Sequence, residues 1–285
     1  MADFTIIDSH LHLWDPARLT YPWLSEVPAI GGPRLPRDFR AASAGFDLEK
    51  MVFVQCDTVP EQARDEVRWV AKLAGGEEPH LAAIVAWAPV ARGAAAADEL
   101  DWLADLPLVR GVRQLIQGEA DDGFCARPDF VRGVQLLGER GLSFDLCIKG
   151  DGQFQSVIEL VERCPQVEFV LDHLGKPFIS ESRIEPWAGC MRRLAEAPNV
   201  FCKISGMSTE ADWNDWSVDD LRPYAEIAFE AFGPDRVMFG GDWPVVDLAS
   251  SWAQWVRTLD ELTAGFSASD RHKLFHDNAA SFYRI

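Results

Sequence analysis

With 285 residues and 48% apolar side chains, the chain can bury the core of one large α/β domain or of two small ones. Its net charge of −18 excludes nucleic acid and anionic membranes as partners, because their phosphates demand a basic face. The longest nearly apolar stretch, 81–91, is about half of the ~20 residues that a membrane-spanning helix needs, and Arg92 ends it.

Eight short runs rich in β-branched residues are expected as strands, at 4–7, 51–54, 81–85, 109–115, 142–147, 167–171, 200–204 and 236–239. Between them the apolar residues take helical spacing. Phe130, Val134 and Leu137 lead to a stop at Gly141, and Val157, Leu160 and Val161 lead to one at Pro165. Strand alternating with helix in this way is the pattern of a (β/α)8 TIM barrel, expected here as a single domain over 1–285.

The connections are unequal. Links into strands are curt, whereas links leaving strands one, four and seven are long, at 13–46, 116–128 and 205–219. A parallel barrel carries its elaborated loops and its catalytic groups on the C-terminal face, so the strand ends are the place to look for chemistry. No basic segment precedes an apolar run near residue 1, so no signal peptide is expected. The six cysteines form no CxxC pair and read as reduced core residues, which points to the cytoplasm.

Strand one ends in His10 and His12, which alternate on the face that Asp8 would share. Two imidazoles so spaced can hold one ion or one carbonyl oxygen, although ordinary hydrogen-bonded histidines also take this spacing. The other strand ends supply Gln55 and Asp57, Arg113 and Gln114, Asp145 and Lys149, Asp172 and His173, Lys203 and Ser205, and Asp242, while strand three ends in Trp87. Closing a barrel brings these ends around one small volume.

Five phrases carry a resemblance. They are Asp-Ser-His-Leu-His-Leu-Trp-Asp at 8–15, Gly-Val-Arg-Gln at 111–114, Leu-Asp-His-Leu-Gly-Lys-Pro at 171–177, Lys-Ile-Ser-Gly at 203–206 and Gly-Gly-Asp-Trp-Pro at 240–244. In this order they resemble the amidohydrolase superfamily, and within it the lactonase branch of L-fuconolactonases, L-rhamnonolactonases and 2-pyrone-4,6-dicarboxylate lactonases. The resemblance implies a hydrolase of small lactones, among them the sugar-acid lactones of carbohydrate catabolism. It implies His10 and His12 as the first-strand pair, Asp242 as the base that activates water, and His173 as the strand-six histidine. Arg113 stands where two-metal relatives carry a bridging lysine or glutamate, and Asp145 where they carry a histidine. A two-metal site is therefore not expected. The resemblance leaves one divalent ion, zinc before others, on His10, His12 and Asp242, or catalysis that dispenses with it.

Each assignment has a plainer rival. Asp242 is either the general base or an acceptor for backbone N–H groups in its turn. His173 orients water and protonates the leaving alkoxide, or simply bonds Asp172 or a loop. Arg113 forks onto a substrate carboxylate or hydroxyls, or serves as a buried ion-pair partner. Trp14, Trp23 and Trp243 stack on a sugar ring or pack in the core. Lys203 touches substrate, or neutralises Asp242 or Asp172. A metal-dependent decarboxylase on the same scaffold and a non-catalytic ligand-binding barrel are the competing functions, and the oligomeric state is not legible.

Overall fold

The computed structural model describes residues 4–285. Eight parallel strands pair in sequence order: β1 (Thr5–Leu11), β2 (Asp47–Val54), β3 (Leu81–Ala86), β4 (Val109–Val112), β5 (Ser143–Leu146), β6 (Phe169–Leu171), β7 (Val200–Ile204) and β8 (Val237–Phe239). The sheet curls back on its first strand, where Leu11 bridges Trp243 and the His12 N–H donates to the Trp243 carbonyl at 2.8 Å. This is the expected (β/α)8 barrel.

The helices are α1 (Pro36–Ala42), α2 (Ala63–Ala74), α3 (Ala97–Ala104), α4 (Pro128–Gly138), α5 (Asp151–Arg163), α6 (Trp187–Ala195), α7 (Met207–Glu210), α8 (Val218–Phe232), α9 (Trp252–Leu262), α10 (Ala268–His272) and α11 (Asn278–Tyr283). Local sequence sets their ends. Pro128 opens α4 with its φ already helical, and Phe130, Val134 and Leu137 then bury one face. Ser217 and Asp220 form a capping box ahead of α8, and the Ser251 hydroxyl accepts the Gln254 N–H ahead of α9. Among the described residues no helix is long and apolar enough to cross a membrane.

Two differences from the sequence expectation bear on the site. The apolar run stops at Ile7, yet β1 continues to Leu11, with Asp8, Ser9 and His10 fully buried. Hydrophobicity does not mark a strand whose polar groups are all met inside the protein. The pairing also shifts register between Asp8 and Leu11, which breaks the simple alternation of side chains. Asp8 therefore does not share a face with the histidines. Its carboxylate accepts from the N–H groups of His10 and Gly241 and from Trp252 Nε1 on α9, all within 3.0 Å.

The large apolar core lies between strands and helices. A second, smaller cluster joins Ile7, Val52, Val54, Val85 and Met238 from the strands to Ala279, Phe282 and Tyr283 of α11, which fill the foot of the barrel. The 13–46 segment is not an irregular loop, for it holds α1 and two short 3₁₀ turns.

Candidate active site

The C-terminal strand ends surround a cavity of about 220 Å³, lined in part by His12, Arg113, His173 and Asp242. His10 Nε2 and His12 Nε2 stand 3.2 Å apart, and Asp242 Oδ1 lies 3.8 and 3.5 Å from them. His173 Nδ1 is 3.9 Å from Asp242 Oδ2 and 2.9 Å from the Ser205 hydroxyl. The structure thus brings the four expected residues together.

Backbone strain helps to place them. His173 and Asp242 both have left-handed φ, 53° and 52°, which non-glycine residues adopt only where the surroundings force it. Gly206 is required next to them, since a Cβ on it would lie 2.7 Å from His173 Nδ1. Asp242 is also tied through its own N–H, which donates to the His10 carbonyl at 2.7 Å.

Hydrogen bonding fixes the tautomer of His12. Its Nδ1 faces the Val54 carbonyl at 2.8 Å, so Nδ1 carries the proton and Nε2 offers a lone pair. His10 can take either form. Its Nδ1 sits 3.2 Å from Lys203 Nζ, a donor, and 3.3 Å from Asp172 Oδ1, an acceptor. With the proton on Nδ1, both Nε2 atoms present lone pairs to the space beside Asp242.

Burial pushes the imidazoles down, His10 well below its ordinary value and His173 to about 4. Burial lowers His12 as well. For Asp242 burial acts upward, but His173 and then His12 and His10 outweigh it and hold the carboxyl below the ordinary range. Burial thus favours the neutral form of the imidazoles, and the histidines favour the carboxylate form of Asp242. That donor set fits a single divalent ion. Three ligand atoms 3.2–3.8 Å apart match the edge of roughly 3.4 Å that a tetrahedral site with bonds of about 2.1 Å would have. His173, whose ligand atom lies within 4.8 Å of those of His10 and Asp242, offers a further donor.

Three residues expected to reach a substrate do not face the cavity. Lys203 is 0% exposed, its ammonium held 2.5 Å from Asp145 and 3.0 Å from Asp172, so it neutralises the interior. Burial alone would favour its uncharged form, yet the two carboxylates outweigh burial. Trp14 is fully buried and donates to the Gly32 carbonyl, standing edge-on to Trp23. Trp243 is 2% exposed and packs on Phe39, where the β8 turn meets α1. Trp23 does line the cavity, pinned by its Nε1–H to the Cys56 carbonyl. Arg113 combines both of its rival roles. It lines the cavity, while Nη1 donates to Asp172 at 3.1 Å and Nη2 to the Gln55 carbonyl at 2.7 Å.

The sequence left other lining residues unassigned. Asp57 reads in the sequence only as a strand end, and nothing in the sequence marks Gln117, Cys147 or Lys176 as lining residues. Lys176 was the most legible of these, being three residues after His173 within one of the five phrases.

The sequence matches the amidohydrolase family over residues 7–285. The chain belongs to the amidohydrolase family. An L-fucono-1,5-lactonase of Burkholderia multivorans is 32% identical over 98% of this chain and 96% of its own. An L-rhamnono-gamma-lactonase of Scheffersomyces stipitis is 25% identical over the full length of both. Among solved structures, an amidohydrolase from Burkholderia multivorans with bound zinc superposes with a TM-score of 0.89, at 31% identity and 99% coverage of each chain. Zinc in that relative agrees with the donor set found in this amidohydrolase.

Proposed function

We propose that this chain opens a small lactone, of the sugar-acid type, to its hydroxy acid. The observation that carries the reading is the cluster of Asp242 with His10, His12 and His173 beside a cavity sized for one small ring. The fuconolactonase and rhamnonolactonase relatives support the same substrate class. Asp57, Gln117 and Lys176 add polar groups to the lining, suited to a ring bearing hydroxyls.

Ester hydrolysis needs a deprotonated water on one face and stabilisation of the carbonyl oxygen as it becomes anionic. Asp242 accepts the proton of a water that attacks the carbonyl carbon, as a general base. His10, when its proton is on Nε2, donates to the developing oxyanion, while His12 Nε2 offers a lone pair beside Asp242. Collapse of the tetrahedral intermediate breaks the ring C–O bond, and the alkoxide takes back a proton from Asp242, directly or through His173. When bound, a divalent ion on His10, His12 and Asp242 would polarise the carbonyl and acidify water. Arg113 and Trp23 shape the wall against which the ring lies.

The test is a panel of five- and six-membered aldonolactones assayed with a pH indicator, with carbon dioxide measured alongside. Proton release from sugar lactones without carbon dioxide is the expected result. No turnover across the panel would count heavily against the assignment.

A further inference from the structure

At the opposite end of the barrel from the cavity, one π-helical turn, Lys273–Asp277, joins α10 to α11. Such turns insert a residue into a helix and recur at functional sites. This one gathers His272, His276 and Asp277. His272 Nδ1 lies 2.9 Å from Asp277 Oδ2 and His276 Nδ1 2.8 Å from Asp277 Oδ1, with ring centroids 4.9 Å apart. The three ligand atoms lie within 4.8 Å of one another.

The second nitrogen of His276 supplies an independent clue. Its Nε2 is 3.1 Å from Glu49 Oε2 on β2. A metal-binding histidine characteristically donates its other N–H to a carboxylate, which fixes the tautomer and raises the basicity of the ligand atom. With Nε2–H on Glu49, a neutral His276 turns a lone pair on Nδ1 toward the Asp277 carboxylate. The two atoms stand at hydrogen-bond distance, and an ion taking both as ligands would sit to one side of them and replace the proton they share.

We propose that His272, His276 and Asp277 form a surface site for one divalent transition ion of the zinc type, with Glu49 as the orienting partner. Two imidazoles and one carboxylate suit zinc, nickel or copper and leave coordination positions for water. The site is separate from the lactone cavity and does not depend on the function assigned there. Its effect is mechanical. Phe275, inside the same turn, stacks on Phe4 at 4.1 Å, and α11 carries the residues that fill the foot of the barrel. An ion here would hold the π turn that carries Phe275 in place between α10 and α11.

The experiment uses metal-stripped protein and zinc chloride, comparing the unmodified chain with His272→Gln/His276→Gln. Zinc per chain is counted after gel filtration, and thermal unfolding is followed with and without zinc. The double variant is expected to take up about one equivalent less and to lose a zinc-dependent Tm rise of a few degrees, with lactone turnover unchanged. Should the double variant fail to fold, Asp277→Asn, an exposed single change, is expected to show the same deficit. Glu49→Gln is expected to weaken binding by about 10–100-fold without abolishing it. Equal zinc counts and equal Tm rises in the unmodified and variant chains would overturn the site.

Discussion

Lys203→Met tests the interior of the barrel. The ammonium lies 2.5 Å from Asp145 and 3.0 Å from Asp172, with no exposed surface, so removing it strands charge where water cannot reach. Arg113 still pairs with Asp172 at 3.1 Å, which leaves Asp145 as the orphan. Burial has already lifted Asp145 to about 6 against the pull of Lys203, and without Lys203 it will take up a proton at neutral pH. Breaking a buried pair from one side costs about 3–5 kcal/mol. On a total stability of roughly 5–15 kcal/mol the variant still folds, with a Tm lower by on the order of 10 °C. Urea unfolding followed by tryptophan fluorescence measures the loss, and an unchanged m-value certifies that the folded state is comparable. Adding Asp145→Leu removes the orphan, and the double variant should regain more than half of the loss, since apolar replacement of a buried pair is often neutral or better. A single-variant loss below about 1 kcal/mol, or a double variant no more stable than the single, would refute the electrostatic account of this layer.

Asp242→Asn keeps the backbone bonds of the turn but cannot accept a proton from water. A kcat loss of ~10²-fold or more is expected with Tm unchanged, and near wild-type turnover would remove Asp242 from the mechanism. His173 ties stability to pH. Its folded pKa of about 4 lies below the ordinary 6.5, so between these values the unfolded chain binds a proton that the folded chain refuses. Stability should fall as pH drops from 6.5 to 4, by about 3 kcal/mol from this group, and this part of the slope should vanish in His173→Gln. Identical urea midpoints against pH in the two proteins would refute it. Chelation, tested in the His272→Gln/His276→Gln background, should reduce lactone turnover only in part, because His10, with Nδ1 accepting from Lys203, can carry its proton on Nε2 and donate it to a carbonyl oxygen. Complete and zinc-reversible loss would show the ion to be obligatory.

Much of this was legible in the chain because barrel strands are short apolar runs with punctuated entries, and because closing the barrel converts strand ends into one locality. His10, His12, His173 and Asp242 could be assembled from spacing and phrase alone. Lys203 could not be placed, because a strand-end lysine looks the same in sequence whether it points along the axis at Asp145 or out at a ligand. Trp14 and Trp243 failed for a related reason. An indole in a long segment is equally suited to stacking and to packing, and only the fold of 13–46 over the turn at 240–244 decides. Asp8 was misplaced by the register shift in β1, which no residue pattern announces.

The lower core of the barrel joins the two ends of the chain, from Ile7 of β1 to Tyr283 of α11. The ring itself is joined by Leu11 and Trp243, residues far apart in sequence. During synthesis, then, the strands emerge long before the side chains that stopper the barrel, and a nascent chain carrying all eight strands still has an open base beneath Asp145 and Lys203. Cooperative folding must wait for residues 279–283, and translation that stalls before them leaves a barrel with its apolar inner wall bared to other nascent chains.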